Sequence, residues 1–329
     1  MKKFSPTQIN LLKELADGLC HSGNHLGLTL GISRTAVWKQ IRQMTDLGVP
    51  IATVPQQGYR LITPIILLDE ACIRQALTNH DFHLPLNFHL FASIDSTNRF
   101  LKELPEHSTL GICCAEQQTQ GRGRFGRHWH SPFGENIYFS SRWQFDCDLS
   151  QLSGMSLVVS LAILASLNEL GIDDKIGVKW PNDLLWQGKK LCGSLIEISA
   201  ESNGKTDVVI GIGLNVNSIT EHQPPLEKPW CSLYDITGKP WDRNRLIAQL
   251  IIQLHAFLQR FLTHGFSFFQ EQWQQADCLK NQMIRVNYPL GFLYGKAIGV
   301  NDVGQLILED ETGEMHYLSS GDTSLHAGE

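Results

Sequence analysis

Gly121-Arg122-Gly123-Arg124-Phe125-Gly126-Arg127-His128-Trp129 is the run on which the reading of this chain turns. Glycine and arginine alternate through it, and a tryptophan closes it. Three guanidinium groups this close together need anionic partners or water, so the segment cannot pack into an apolar core. The glycines make it costly to hold still before something binds. An anion would order it, because arginine donors suit phosphate or carboxylate and glycine lets backbone N–H groups approach closely. The tryptophan adds a flat face for a base. By itself the run is equally readable as a mobile surface loop or a nonspecific RNA-binding patch.

Downstream stand Val178-Lys179-Trp180-Pro181-Asn182-Asp183-Leu184 and Gly188-Lys189-Lys190-Leu191-Cys192-Gly193, and upstream Asp95-Ser96-Thr97-Asn98. In this order these segments resemble the biotin protein ligases, and the likeness covers nearly the whole chain. The first sixty or so residues resemble the helix-turn-helix of the bifunctional members, which also repress the biotin operon.

The 329 residues exceed one ordinary core, so two or three domains are expected. Apolar content of 42% and charged content of 18% fit a soluble globular protein. No apolar run approaches the roughly 18 residues of a membrane span, and the start Met1-Lys2-Lys3-Phe4 lacks the apolar stretch of a signal peptide. Eight scattered cysteines form no Cys-x-x-Cys pair. A reduced cytoplasmic protein with buried thiols is the simplest account. The net charge is −6, but residues 1–65 hold seven Lys and Arg against three Asp and Glu. A basic amino-terminal module therefore sits on an acidic body, the distribution expected if only the small module meets DNA.

In that module, helices are expected over 6–18, with Ile9, Leu12 and Leu15 inward, over 23–30 behind a Ser22 cap, and from Ser33 to Leu47. Gly31 supplies the turn. Val37, Ile41, Met44 and Leu47 face the core, leaving Arg34, Thr35, Trp38, Lys39 and Arg42 outside. Strands 51–54 and 59–62 around Pro55-Gln56-Gln57-Gly58 make a wing. A winged helix used only for protein contacts is the plain alternative. The basic, hydroxyl-bearing face favours DNA, with Arg34, Thr35, Lys39 and Arg42 as contacts. A homodimer on paired half-sites follows from the small footprint of one module.

Thr63-Pro64 marks the linker, and a helix follows from Asp69 to Thr78. Strand-like runs at 86–92, 110–115, 136–143, 175–180, 184–186, 191–199 and 207–214 mix with helical runs at 96–104, 152–170, 243–261 and 265–275. This is not strict β-α alternation, so the class is α+β with a mixed sheet. The resemblance implies helices packed on one side of that sheet. From about 277 the chain reads as short strands at 283–286, 295–300, 306–309 and 315–318. By resemblance they form an SH3-like barrel. The expected domains are 1–63, 66–276 and 277–329.

Read plainly, Ser96 is an N-cap, Asn182-Asp183 an Asx turn, Lys190 a solvated turn lysine and Asn215 a turn residue. The resemblance implies more. Ser96 and Gln118 would bond the biotin ureido ring, which a hydroxyl and a carboxamide complement without charge, and Thr97 and Asn98 would line that pocket. The backbone at Arg122 would meet the biotin carboxylate, and Gly123, Arg124 and Lys190 would belong to the same biotin site. Arg124 and Arg127 would contact nucleotide phosphate, Trp129 would pack on adenine, and Gly193 would admit ligand to a strand. Asn182, Asp183 and Asn215 would touch the nucleotide, with Asp183 on Mg²⁺ carried by ATP. Lys190, Arg122 and Arg124 would act in catalysis by countering the repulsion of two anionic substrates, about 1 kcal/mol per charge pair at 4 Å even in water. The loop is expected to be disordered when empty and to fold over ligand.

The implied reaction joins biotin and ATP into biotinyl-5′-AMP, then passes biotin to a lysine of the biotin carboxyl carrier protein of acetyl-CoA carboxylase. The adenylate doubles as corepressor for an operator-bound homodimer. No membrane partner is expected. Phe125, His128 and Cys192 depart mildly from the family pattern. A lipoate-type carrier-protein ligase shares the fold and a related lysine motif, but the arginine loop and DNA-binding module argue against it. A transcription factor that senses a ligand without chemistry would not need the loop and both lysine segments.

Overall fold

The computed structural model describes residues 4–105, 109–172, 175–200, 205–222, 228–288 and 291–325. Lys2 and Lys3, counted above in the basic module, lie outside them. The chain opens with α1 (Pro6–Leu15), α2 (Gly23–Leu30) and α3 (Arg34–Thr45), then the hairpin β1 (Ile51–Val54) and β2 (Gly58–Leu61). Ser5, Ser22 and Ser33 cap the helices through their hydroxyls, each taking a first-turn N–H that would otherwise lack a partner. Gly31 takes a left-handed conformation, φ 64°, which sets the turn into α3. Of the expected inward face of α1, Leu12 and Leu15 are buried and Ile9 is not. Gln8, in a reciprocal capping box with Ser5, and Leu11 complete the buried face in place of Ile9. α1 also stops at Leu15, before Gly18.

α4 (Glu70–Thr78), β3 (Leu86–Phe91), α5 (Thr97–Glu103), β4 (Leu110–Ala115) and β5 (Ile137–Phe145) begin the central body. Then come α6 (Met155–Glu169), β6 (Gly177–Lys179), β7 (Asp183–Trp186), β8 (Lys189–Ala200), β9 (Thr206–Leu214), α7 (Leu233–Thr237), α8 (Arg243–His264) and α9 (Gln270–Ala276). The strands form one sheet in the order β3-β4-β5-β9-β8-β7-β6. Only β3 and β4 run parallel, which is the mixed sheet expected. Alternation assigns the faces. Val208, Ile210 and Ile212 of β9 join the large core with α6 and α8, whereas Val209 joins Phe91, Leu101 and Cys113 under α5. One-sided packing therefore holds for the long helices, and α5 is the exception. It lies on the other face, where the site is built.

The last strands are β10 (Met283–Tyr288), β11 (Gly291–Val300), β12 (Leu306–Glu309), β13 (Met315–Leu318) and β14 (Asp322–Leu325). They form an antiparallel sheet ordered β13-β12-β11-β10-β14. β14 and α7 were not anticipated. The C-terminal sheet is tied to the body because Trp180 Nε1 donates to the Gly304 carbonyl and Thr323 Oγ1 to the Trp180 carbonyl. Its Ile284, Val286, Leu306 and Leu308 share the large core.

Arg243, fully buried at the start of α8, pairs with Glu116 at 2.7 Å and donates to the carbonyls of Ile66 and Asn136. Glu116 accepts from the Leu68 N–H, and Asn244 donates to the Leu67 carbonyl. The linker is thus bolted to the body. The amino-terminal core also runs past residue 63, taking in Ile65 and, from the body, Phe133, whose ring meets Phe4 edge to face.

By length and composition α8 is long and apolar enough to cross a membrane. Here it is a core helix with Leu246, Leu250 and Leu254 fully buried. Cys113, Cys114, Cys192 and Cys231 are buried, as expected, but Cys72 and Cys278 are exposed.

Candidate active site

Fourteen residues were expected at the biotin and nucleotide sites, and all of them line one cavity of about 480 Å³ on the α5 face of the sheet. Its floor is bare backbone. Gly193 of β8 pairs with Gly213 of β9, and Gly211 follows on the same face. Side chains from elsewhere occupy the space a methyl would need. A Cβ on Gly213 would lie 2.4 Å from the Trp129 ring, and one on Gly211 would lie 2.1 Å from Asn98 Oδ1.

The neutral end of the cavity grows from the start of α5. Ser96 caps the helix at the Arg99 N–H, so its plain role is real. Thr97 donates to Gln118 Oε1 through both its N–H, at 2.9 Å, and its hydroxyl, at 3.1 Å. This fixes the Gln118 carboxamide oxygen and leaves its amide nitrogen as the donor for a ligand. Asn98 accepts from Ser140 and donates to Glu197 and the Leu195 carbonyl.

The arginine run stands across the cavity as a small hairpin. The Trp129 N–H donates to the Gly121 carbonyl and the Gly123 N–H to the Arg127 carbonyl, with a tight turn at Arg124–Gly126. Arg122 faces His128 as a non-hydrogen-bonded pair, so the Arg122 N–H points out of the hairpin. The three guanidinium groups go different ways. Arg122 pairs with Glu197 at 3.0 Å. Arg124 donates to Asn182 Oδ1 at 3.3 Å and to the Gly321 carbonyl at 3.2 Å. Arg127 pairs with Asp322. Burial lowers the Arg124 pKa, with Asp183 and Asp322 opposing the shift.

Lys190 reaches the site through a bulge. The turn Gln187-Gly188, with positive φ at both residues, joins β7 to β8, so the hairpin is tighter than strands 184–186 and 191–199 imply and Lys190 stands in β8 rather than in the turn. Leu184 pairs with Cys192 and Leu185 with Lys190, so Leu191 is an extra residue in β8. The bulge buries both Leu191 and Cys192 in the core and turns Lys190 to the face of Gly193. Lys190 Nζ then lies 2.7 Å from Asp183 Oδ1 and 5.4 Å from the Trp129 ring centroid. Cys192, a departure from the family pattern, points away from the cavity into the core.

Residues the sequence did not flag also line the cavity. Lys228 and Asp322 come from far along the chain, and Asp322 from the C-terminal sheet. Burial opposes the Asp322 charge, but hydrogen bonds from Arg127 and Lys228 hold its carboxyl well below the ordinary range. Burial of Lys179 beside the site depresses its ammonium pKa, with Asp183 opposing. The cavity thus gathers five Lys and Arg side chains and two carboxylates. Both carboxylates are already paired. Such a wall has a surplus of donors for anions, beside a neutral polar end.

The residues do not form a resident metal centre. Asp183 Oδ1 is held by Lys190, and Asn182 Oδ1 accepts from Arg124. Among the described residues the one acidic-histidine cluster with metal-ligand spacing, Asp310, Glu314 and His316, is outside the cavity. On the amino-terminal module Arg34, Thr35, Lys39 and Arg42 are all exposed on α3. Trp38 is half exposed, with the Arg42 guanidinium 5.5 Å from its ring.

The chain matches the Biotin/lipoate A/B protein ligase family over residues 90–215. It also matches an HTH domain over residues 7–60 and the Biotin protein ligase C terminal domain over residues 281–325. It is 35% identical to the Bifunctional ligase/repressor BirA of Salmonella typhimurium, covering 99% of this chain and 100% of that one. It is 36% identical to the protein of the same name from Escherichia coli, with 99% of each covered. Its fold is similar to a biotin protein ligase from Aquifex aeolicus in complex with biotin and ATP. The TM-score is 0.62 at 30% identity, covering 73% of this chain and 98% of that one.

Proposed function

The chain belongs to the biotin/lipoate A/B protein ligase family, and we propose that it is an ATP-dependent biotin protein ligase and a biotin-responsive repressor. The observation that carries the first half is the pairing, in one cavity, of a neutral hydrogen-bonding end with a wall of cations. Biotin has a neutral ureido ring at one end and a carboxylate at the other, and ATP brings the second anion.

In this reading Ser96, Thr97 and Gln118 seat the ureido ring, while the outward N–H of Arg122 meets the carboxylate and Gly123 lets it approach. A carboxylate oxygen attacks the α-phosphorus and pyrophosphate departs. Lys190 turns from Asp183 to the oxygens where charge accumulates, with Arg124 beside it. Arg127, Asn182, Asn215 and Gly193 hold the nucleotide, and Trp129 covers the adenine. The hairpin keeps water from the mixed anhydride. A lysine amine of the biotin carboxyl carrier protein then attacks the acyl carbon, and AMP leaves. Mg²⁺ enters as a companion of the triphosphate. Asp183, with one oxygen held by Lys190, offers it at most a second, and no step is derived through the ion.

The second half rests on the basic outer face of α3. Arg34, Thr35, Lys39 and Arg42 contact operator DNA, and the adenylate favours the homodimer that spans two half-sites. Thiols buried in the core at Cys114, Cys192 and Cys231 accord with a cytoplasmic setting.

The deciding experiment combines labelled biotin, ATP and an apo-carrier domain. Biotin-dependent pyrophosphate release and label on the carrier are expected, with lipoate failing to compete. Release without biotin, or transfer of lipoate in preference, would overturn the reading. Operator affinity indifferent to biotin and ATP would remove the repressor half alone.

A further inference from the structure

Glu197 takes no part in the chemistry above, yet three partners from the biotin end meet on its carboxylate. It lies on β8, on the cavity face with Gly193 and Leu195, and across the ladder from Val209. Its Oε2 accepts from Arg122 Nη2 at 3.0 Å and from Asn98 Nδ2 at 3.1 Å, and its Oε1 accepts from Lys102 Nζ at 3.2 Å. Asn98 and Lys102 belong to α5, whereas Arg122 opens the hairpin. The carboxylate therefore joins the loop to the sheet and to the helix that seats the ligand. Its side chain is only 18% exposed, so these bonds form at the edge of bulk water, where they are less screened than surface pairs. Burial would raise its carboxyl pKa, but the Asn98 hydrogen bond and the Arg122 and Lys102 charges more than offset this.

We propose that Glu197 is a positioning residue that clasps Arg122 and so holds the arginine hairpin shut over the cavity. The inference rests on the ligase reading for what the closed loop retains, but the clasp itself is a property of the chain. Arg122 is the residue whose N–H leaves the hairpin ladder, so fixing its side chain fixes where that N–H points. The three glycines of the loop argue for disorder when it is empty. The Arg122–Glu197 pair at one end and the Arg127–Asp322 pair at the other bias it toward closure before ligand arrives. Opening the clasp would release the adenylate or expose it to the carrier.

The test uses the full chain with Glu197→Gln, which keeps the side-chain shape and removes the charge, and with Arg122→Gln. First, ligand-free protein is digested with trypsin and cleavage after Arg124 and Arg127 is timed. Each variant is expected to be cut about three- to tenfold faster there, the range for one partly shielded charged pair, with the rest of the digest and the melting temperature unchanged. Second, preformed labelled adenylate is chased with unlabelled biotin and ATP. In Glu197→Gln, release should accelerate by a similar factor while the pyrophosphate burst keeps its amplitude. The double variant should be no faster than either single one, because both remove the same contact.

Unchanged loop cleavage in both variants would overturn the clasp, as would additive effects in the double variant. So would cleavage that rises along the whole chain with a lowered melting temperature, which marks a merely fold-supporting residue. If Glu197→Gln does not fold, Arg122→Gln, at an exposed position, carries the ligand-free digest, which does not depend on the chemistry. A wild-type protein that makes no adenylate would defeat the ligase reading, and the ligand-free digest would still decide the clasp.

Discussion

Replacing Gly213 with alanine should damage nucleotide use while leaving the fold intact. The new methyl would lie 2.4 Å from Trp129 Cε2 and 2.7 Å from Trp129 Nε1. Ordinary carbon contact needs about 3.5 Å, so the indole must withdraw by about 1 Å. The sheet has no reason to move, because the indole sits on a loop and the loop can yield. A misplacement of this size at a reacting centre costs up to about 100-fold, and the lost ring contact adds about 0.5–1.5 kcal/mol. The expected fall in kcat/KM for ATP is about 10- to 100-fold, or about 1.4–2.7 kcal/mol. Folding should gain slightly, since alanine restricts the unfolded chain by about 0.4–1 kcal/mol relative to glycine. The assay is pyrophosphate release against ATP at saturating biotin, with a thermal melt beside it. Gly211→Ala is the companion: its methyl would strike Asn98 Oδ1, which accepts from Ser140 while the same carboxamide donates to Glu197, so the side chain is held in place and the biotin KM should rise instead. Wild-type kcat/KM for ATP in Gly213→Ala would refute the stacking argument, as would the two variants exchanging effects.

Lys190→Ala should lose adenylate formation by about 100- to 1,000-fold and still fold, because its side chain is partly exposed; near-normal pyrophosphate release would remove it from the chemistry. Glu116→Gln strands the buried Arg243 charge and should cost about 3–5 kcal/mol in a urea titration; a loss below about 1 kcal/mol would mean the pair does not hold the linker. The Asp322 pKa is depressed on folding, so its stabilising effect is present above the unfolded value near 4 and is lost as pH falls through the lower folded value. Asp322→Asn should therefore be less stable than wild type at pH 7, with the gap closing steadily below about pH 4; a gap constant down to pH 2 would contradict this. Lys39→Ala should weaken DNA binding and reduce the slope of log K against log salt by about 0.9 if it meets a phosphate; an unchanged slope would move that contact elsewhere.

Much of the site was legible because its chemistry is concentrated in short runs. A stretch of alternating glycine and arginine has few uses other than holding anions, and Lys190 follows a turn that sequence alone places. Its aim was not legible. The bulge at Leu191 turns Lys190 to the cavity, and only cross-strand register reveals an extra residue. Lys228 and Asp322 were missed for a related reason. Asp322 meets Arg127 across 195 positions of sequence, on a strand that the polar run around Gly321 did not suggest. Glu197 reads locally as one charged residue in an apolar strand, and its meaning depends on α5 lying on the less covered face. On α1 the spacing placed Leu12 and Leu15 correctly but not Ile9, because the buried stripe runs through Gln8 and Leu11 instead.

Phe133 stands four residues beyond Trp129, yet its ring meets Phe4 and belongs to the apolar core of the amino-terminal module. The border drawn along the chain is therefore not a seam in the packing. Shears applied at residue 63 would leave a bare phenyl ring on one fragment and an unroofed socket on the other. Anyone making a stand-alone ligase from this protein would have to re-dress that ring with a polar side chain before expecting the fragment to stay dispersed in water.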